Sequence, residues 1–139
     1  MGFVYAEITI KNVADGIKAQ EESIKTDEIR TATVTALVDT GARTLVINEE
    51  LQQQLGLGVI GTKQATLANN KKETVKIVEP VEVHWKNRHM VCRPMVASGS
   101  GTILLGAIPL EDMDLIVDPG KEEVVGAHGD EEVVMLMTV

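Results

Sequence analysis

A carboxylate stands at the end of an apolar run in "TALVDTGARTLVI", residues 35–47, where Asp39-Thr40-Gly41-Ala42 separates two strand-like segments. An Asp two places before a glycine is a common turn pattern, and on that reading Asp39 only shapes its own turn. The apolar frame supports a second reading. Two strands leaving a glycine turn hold the carboxylate rigidly, and the glycine lets another backbone approach closely. A carboxylate held in that way is a candidate acid–base group.

Three possible metal ligands also lie close together: His84, His89 and Cys92. If their hairpin turns at Lys86-Asn87, His84 faces His89 while Cys92 faces Val81. The histidines then share the polar face and Cys92 points to the other. A structural zinc needs four converging ligands, so no metal site is expected. Cys92 reads as a small core residue, and His128 in "GAHGD" as a loop residue. No serine stands in a nucleophile-elbow pattern, and "SGSG" at 98–101 reads as a turn. Gly56, Gly58 and Gly61 follow a helix rather than opening one, which argues against a phosphate-binding loop.

The elements that must position these residues are mostly strands. "FVYAEITI" is β-branched and aromatic, and it ends near Asp15-Gly16, a turn signal. Residues 17–28 are charged and weakly patterned, which predicts a long loop or a short edge strand. In "IRTATVTALVD", Val34, Ala36 and Val38 fall on one face of a strand, with Thr33, Thr35, Leu37 and Asp39 on the other. The strand "TLVI" follows the turn. Asn48 then caps the helix "EELQQQLG", where Leu51 and Leu55 stand at i and i+4 and Gly56 is the stop. "QATLA" and "TVKIVEPVEVHW" flank a polar tip, "NNKKE", as a protruding hairpin. A second hairpin turns about Lys86-Asn87-Arg88. A loop, a buried strand, Gly106, a helical turn from Pro109 and further strands complete the chain, including "EEVVMLMTV" at its end.

Composition narrows the partners. The chain has 139 residues, is 44% hydrophobic and has a net charge of −8. Its only aromatic residues besides histidine are Phe3, Tyr5 and Trp85, so Val, Ile, Leu, Met and Ala must build the core. The acidic balance and scattered basic residues exclude nucleic acid as the expected partner. Cys92 is the single cysteine, so no intrachain disulfide forms. No apolar run nears the ~20 residues of a membrane span. The start lacks a signal-peptide pattern, and Ala6 stands where a myristoylation site needs Ser or Thr. A cytoplasmic location is expected.

The sequence resembles the retropepsin-like aspartic proteases, especially the short single-domain bacterial members. The resemblance is carried by "ALVDTGA", by "TLVI" with the helix ending "LGL", and by "ILLGAIPLEDMDLIVDP", over about residues 30–120. It implies a mainly β, closed-barrel acid-protease half-domain with one or two short α-helices, filling residues 1–139 as one domain. It implies Asp39 as the catalytic carboxylate and Thr40, Gly41 and Ala42 as the active-site loop. Leu104, Leu105 and Gly106 match the element that passes beneath that loop. Ala68, Asn69, Asn70 and Lys71 take the place of the flap that closes over substrate, although this tip has neither glycine nor an aromatic residue.

The family's chemistry needs two carboxylates sharing one proton. This chain carries one such motif, because "IVDPG" at 116–120 puts Pro119 where Thr is required. The resemblance therefore implies a homodimer with one Asp39 from each chain. Thr40 would brace the two loops, and the N–H groups of Gly41 and Ala42 would hold the carboxylates. The apolar terminal segments "FVYAEITI" and "VVMLMTV" would add to the interface. The implied partners are a polypeptide substrate and a second copy, with no cofactor, metal, nucleic acid or membrane. Val46, Leu67, Ala68 and Ile108 are candidate pocket residues and favour apolar substrate side chains. The alternative is a non-catalytic protease-like β domain that binds a protein or peptide.

Overall fold

Alternation builds the first strand, β1 (Tyr5–Asn12), whose Ala6, Ile8 and Ile10 turn inward while their neighbours face out. A computed structural model describes residues 2–98 and 101–134 of the chain. β1 pairs antiparallel with β2 (Thr31–Val38), where Ala32 and Ala36 face the same core. After the Asp39 turn come β3 (Leu45–Asn48) and the helix α2 (Glu49–Leu55). The Asn48 side chain accepts the Leu51 N–H at 2.8 Å, and Gly56 closes the helix with φ +64°. Leu51 and Leu55 are the buried pair.

Two hairpins follow. The first joins β4 (Val59–Thr66) to β5 (Lys72–Val78), and the second joins β6 (Val81–Trp85) to β7 (Arg88–Cys92). Short strands β8 (Met95–Ala97) and β9 (Leu104–Leu105) return to the sheet. Helix α3 (Ala107–Asp112) then leads into a separate hairpin of β10 (Leu115–Asp118) and β11 (Glu123–Gly126). The nine-stranded sheet runs β4-β5-β8-β3-β9-β2-β1-β6-β7 and curls into a half-barrel. The fold is mainly β, as the sequence implies. One aliphatic core fills it, from Ile8 and Ile10 through Leu45, Ile47, Val81 and Val83 to Leu105 and Met113. No helix among the described residues is long and apolar enough to cross a membrane.

Several expectations need correction. Residues 13–20 form a helix, α1 (Val13–Gln20), where a turn, loop or edge strand was expected. That makes three short α-helices among the described residues rather than one or two. Asn12 explains it: buried at the end of β1, its side chain accepts the Asp15 N–H and donates to the Leu55 carbonyl at 2.8 Å. Asp15 is consequently no turn residue but a buried helical carboxylate. Arg88, expected in a turn, is 1% exposed in β7, and its guanidinium donates to the carbonyls of Met113, Asp114 and Gly129. His128 lies in a turn, as expected, and its Nδ1 lies 2.7 Å from Asp114. Residues 131–134 form no strand, and 135–139, the rest of the expected terminal strand, lie outside the described residues.

Candidate active site

Strand pairing fixes the Asp39 backbone before its side chain does anything. The Asp39 N–H donates to the Leu105 carbonyl at 3.0 Å, one step beyond the parallel pairs Leu37 with Leu104 and Val38 with Leu105. The same two leucines pair antiparallel with Val46 and Leu45. β9 thus threads between the strands entering and leaving the turn, and it bonds to both. Within the turn, the Gly41 N–H donates to Asp39 Oδ1 at 2.9 Å. The Ala42 N–H donates to the Asp39 backbone carbonyl at 3.0 Å instead of the carboxylate. Asp39 is half-buried, while Thr40 and Gly41 are exposed.

Gly106 closes this arrangement from below. A Cβ there would lie 2.4 Å from the Thr44 carbonyl and 2.6 Å from the Ala42 carbonyl. The next residues continue the lock, with the Ala107 N–H on Ala42 O at 2.9 Å and the Ile108 N–H on Arg43 O at 3.0 Å. Leu104, Leu105 and Gly106 therefore lie against the Asp39–Ala42 turn, held to it by backbone bonds.

Ala68, Asn69, Asn70 and Lys71 form the tip between β4 and β5. Asn70 adopts φ +64°, and the Asn69 side chain accepts the Lys71 N–H at 3.0 Å. Asparagine tolerates this left-handed position, so the tip turns without glycine. No residue of β4 is fully buried, and the hairpin is anchored from β5 by buried Val75 and Val78, so its tip projects with little core contact to hold it.

A cleft of about 420 Å³ lies between Arg43-Thr44, just beyond the Asp39 turn, and these hairpin strands. Arg43 and Thr44 line it on the turn side, Ile60 to Lys63 and Ile77 on the hairpin side, with Arg93, Met95 and Ile108 completing it. Of the expected pocket residues only Ile108 belongs. Val46, Leu67 and Ala68 do not line it, while three cations that the sequence reading passed over do. Their positions, 43, 63 and 93, carry no local pattern, so only the folded chain brings them together.

The other candidates stay apart from Asp39. His84 pairs with His89 across the second hairpin, their ring centroids 5.4 Å apart, and His84 also contacts Glu82. Cys92 pairs with Val81 on the opposite face, as the register required. Burial pushes the Cys92 thiol up to about 11, which leaves it unreactive at neutral pH.

The aspartyl protease family model matches residues 27–108, more than half of the chain. The chain belongs to the aspartyl protease family. Its fold is retropepsin-like: among solved structures, the retroviral protease-like domain of Ddi1 from Leishmania major matches with a TM-score of 0.52. That likeness covers 86% of this chain and 84% of the other at 15% identity, so it speaks for the fold alone. No curated protein sequence matches the chain. The aspartyl protease match begins before β2 and ends at Ile108, so it takes in the Asp39 turn, the hairpin tip and the Leu104–Gly106 element. α1 and the β10–β11 hairpin lie outside the matched segment.

Proposed function

We propose that the chain is an aspartic endopeptidase, residues 1–139 forming one domain that works as a homodimer. A single observation carries this reading. Asp39 sits in an Asp-Thr-Gly turn, fixed by the Gly41 N–H and the Leu105 carbonyl, with the carboxylate half open. One carboxylate is not enough for the chemistry, and the chain has no second such motif. A second copy across a two-fold axis supplies it.

In the dimer the two Asp39 carboxyls share one proton, because like charges that close do not both ionise. The ionised one takes a proton from a water, which attacks the scissile carbonyl. The protonated one donates a hydrogen bond to the carbonyl oxygen as it gains charge. Gly41 holds one oxygen of each carboxyl in place, Thr40 reaches across to the partner loop, and the Ala68–Lys71 tip folds over the peptide.

An apolar face next to the turn supports dimerisation. Thr40 shares a surface hollow with Ala107, Leu110, Ile116 and Val117, and Ile116 is 50% exposed. β1 is bonded on both edges, so from the N-terminal segment only Phe3 and Tyr5 offer exposed apolar side chains.

The test is cleavage of an unfolded peptide library by the purified chain, favoured by acid. Asp39→Asn is expected to lower kcat by at least about 10²-fold; cleavage that survives this change sinks the catalytic assignment. The second reading, a peptide-binding module without catalysis, draws on the polar, glycine-free tip at Ala68–Lys71. It predicts binding by the unmodified chain with no cleavage at any concentration.

A further inference from the structure

The cleft beside the active-site turn has a charge opposite to that of the molecule. The chain carries 21 acidic and 13 basic residues, yet Arg43, Lys63 and Arg93 line this cleft and no Asp or Glu does. None of the three enters an ion pair among the described residues. Three like charges around one cavity repel one another, and an anion between them relieves that repulsion. The rest of the lining mixes apolar Ile60, Ile77, Met95 and Ile108 with Thr44, Gly61 and Thr62.

We propose that this cleft is a subsite for an acidic side chain of an extended peptide, Asp or Glu, flanked by apolar residues. The proposal rests on the peptide-processing reading of the Asp39 site and names the substrate class. Chain geometry limits where the acidic residue falls. Arg43 is four residues beyond Asp39, so the two are at most ~14 Å apart even if fully extended. An extended peptide covers that distance in about four residues. The acidic side chain therefore lies within about four residues of the bond facing Asp39. Arginine suits this task, because its planar fork grips a carboxylate through two parallel hydrogen bonds.

A nucleic acid would also bring negative charge, but the chain as a whole carries a net charge of −8 and repels a long polyanion. A peptide with one or two carboxylates avoids that repulsion.

The test uses the 139-residue chain carrying Asp39→Asn, which binds without turnover, and fluorescent peptides with a central apolar pair. Glu is placed at each position up to four residues either side, and Gln peptides serve as matched controls. At one or more positions the Glu peptide is expected to bind roughly fivefold to tenfold tighter than its Gln twin. The preference should fade as salt rises. It should vanish when Arg43→Gln, Lys63→Gln and Arg93→Gln are combined, with no change in melting temperature, since all three residues are exposed. Equal binding of Glu and Gln peptides, binding of neither, or a preference that survives the triple change overturns the proposal. So does a single-stranded oligonucleotide that binds more tightly than the Glu peptides. Cleavage of the same peptides by the unmodified chain separates the two ideas. A charge preference in binding without cleavage supports the subsite and sinks the peptidase reading; cleavage indifferent to charge does the reverse.

Discussion

Gly106 admits no side chain because two carbonyls and an amide already occupy the place its Cβ would take. Its φ of −88° is ordinary, so the need for glycine is one of space and not of backbone conformation. Gly106→Ala must push β9 away from the Ala42–Thr44 backbone and loosen the bonds that fix Asp39. We expect a loss of about 1–3 kcal/mol in chemical unfolding, together with a fall in peptide cleavage. Unchanged stability would mean the turn yields freely, contrary to the packing described. Gly41 makes a different contribution. Its N–H, two residues from Asp39, holds the carboxylate, as the family resemblance of "DTGA" implies.

At the scale of elements, an ion pair helps tie α1, which lies outside the protease match, to the sheet. Asp15 in α1 accepts from Arg30 Nε at 2.8 Å, from the second guanidinium nitrogen at 2.9 Å, and from the Arg30 backbone N–H at 3.0 Å. The Arg30 side chain in turn lies over Gly56, where a Cβ would come within 1.8 Å of it. A guanidinium at the end of α2 also suits the negative pole of that helix. One residue thereby joins α1, β2 and α2. The guanidinium bond holds the Asp15 carboxyl down at about 2, below its usual 3.8. Because the folded value is depressed, the pair stabilises fully above about pH 4, and its contribution is lost as pH falls through 2. Asp15→Asn should therefore be less stable than the unmodified chain at neutral pH, by about 2 kcal/mol, with the gap closing near pH 2. Unfolding curves across that range check it; a gap that does not depend on pH rules the ion pair out as its source. The lock stays intact over the mildly acidic range in which a carboxyl pair sharing a proton works.

For the whole molecule, the question is whether two Asp39 turns meet. The apolar hollow beside Thr40 is the face to test, and Ile116 is its most accessible target. Ile116→Asp buries a charge in the proposed interface without touching the core. It should leave the monomer folded, shift the solution mass from two chains to one, and abolish cleavage. Dilution of the unmodified protein should lower its specific activity in the same way. A monomer with full activity at every concentration rules out a shared site.

What was legible in the sequence is what residues a few positions apart decide. Asn48 bonds a backbone group three residues on, Gly56 ends its own helix, and Asp39 ends its own strand. Alternation in β2 and the register of the Lys86-Asn87 hairpin follow from the pleat, so the faces of His84, His89 and Cys92 could be worked out in advance. Folding alone decided what depends on distant partners. Asp15 resembles a turn residue until Arg30, fifteen positions away, makes it a buried helical carboxylate. Arg88 resembles one until carbonyls 25 to 41 positions away draw it inward. The cation-lined cleft assembles residues 43, 63 and 93, which share no period or motif. Short-range hydrogen bonds and the strand repeat are written along the chain. Where a charge is buried, and which charges meet, depends on which strands become neighbours.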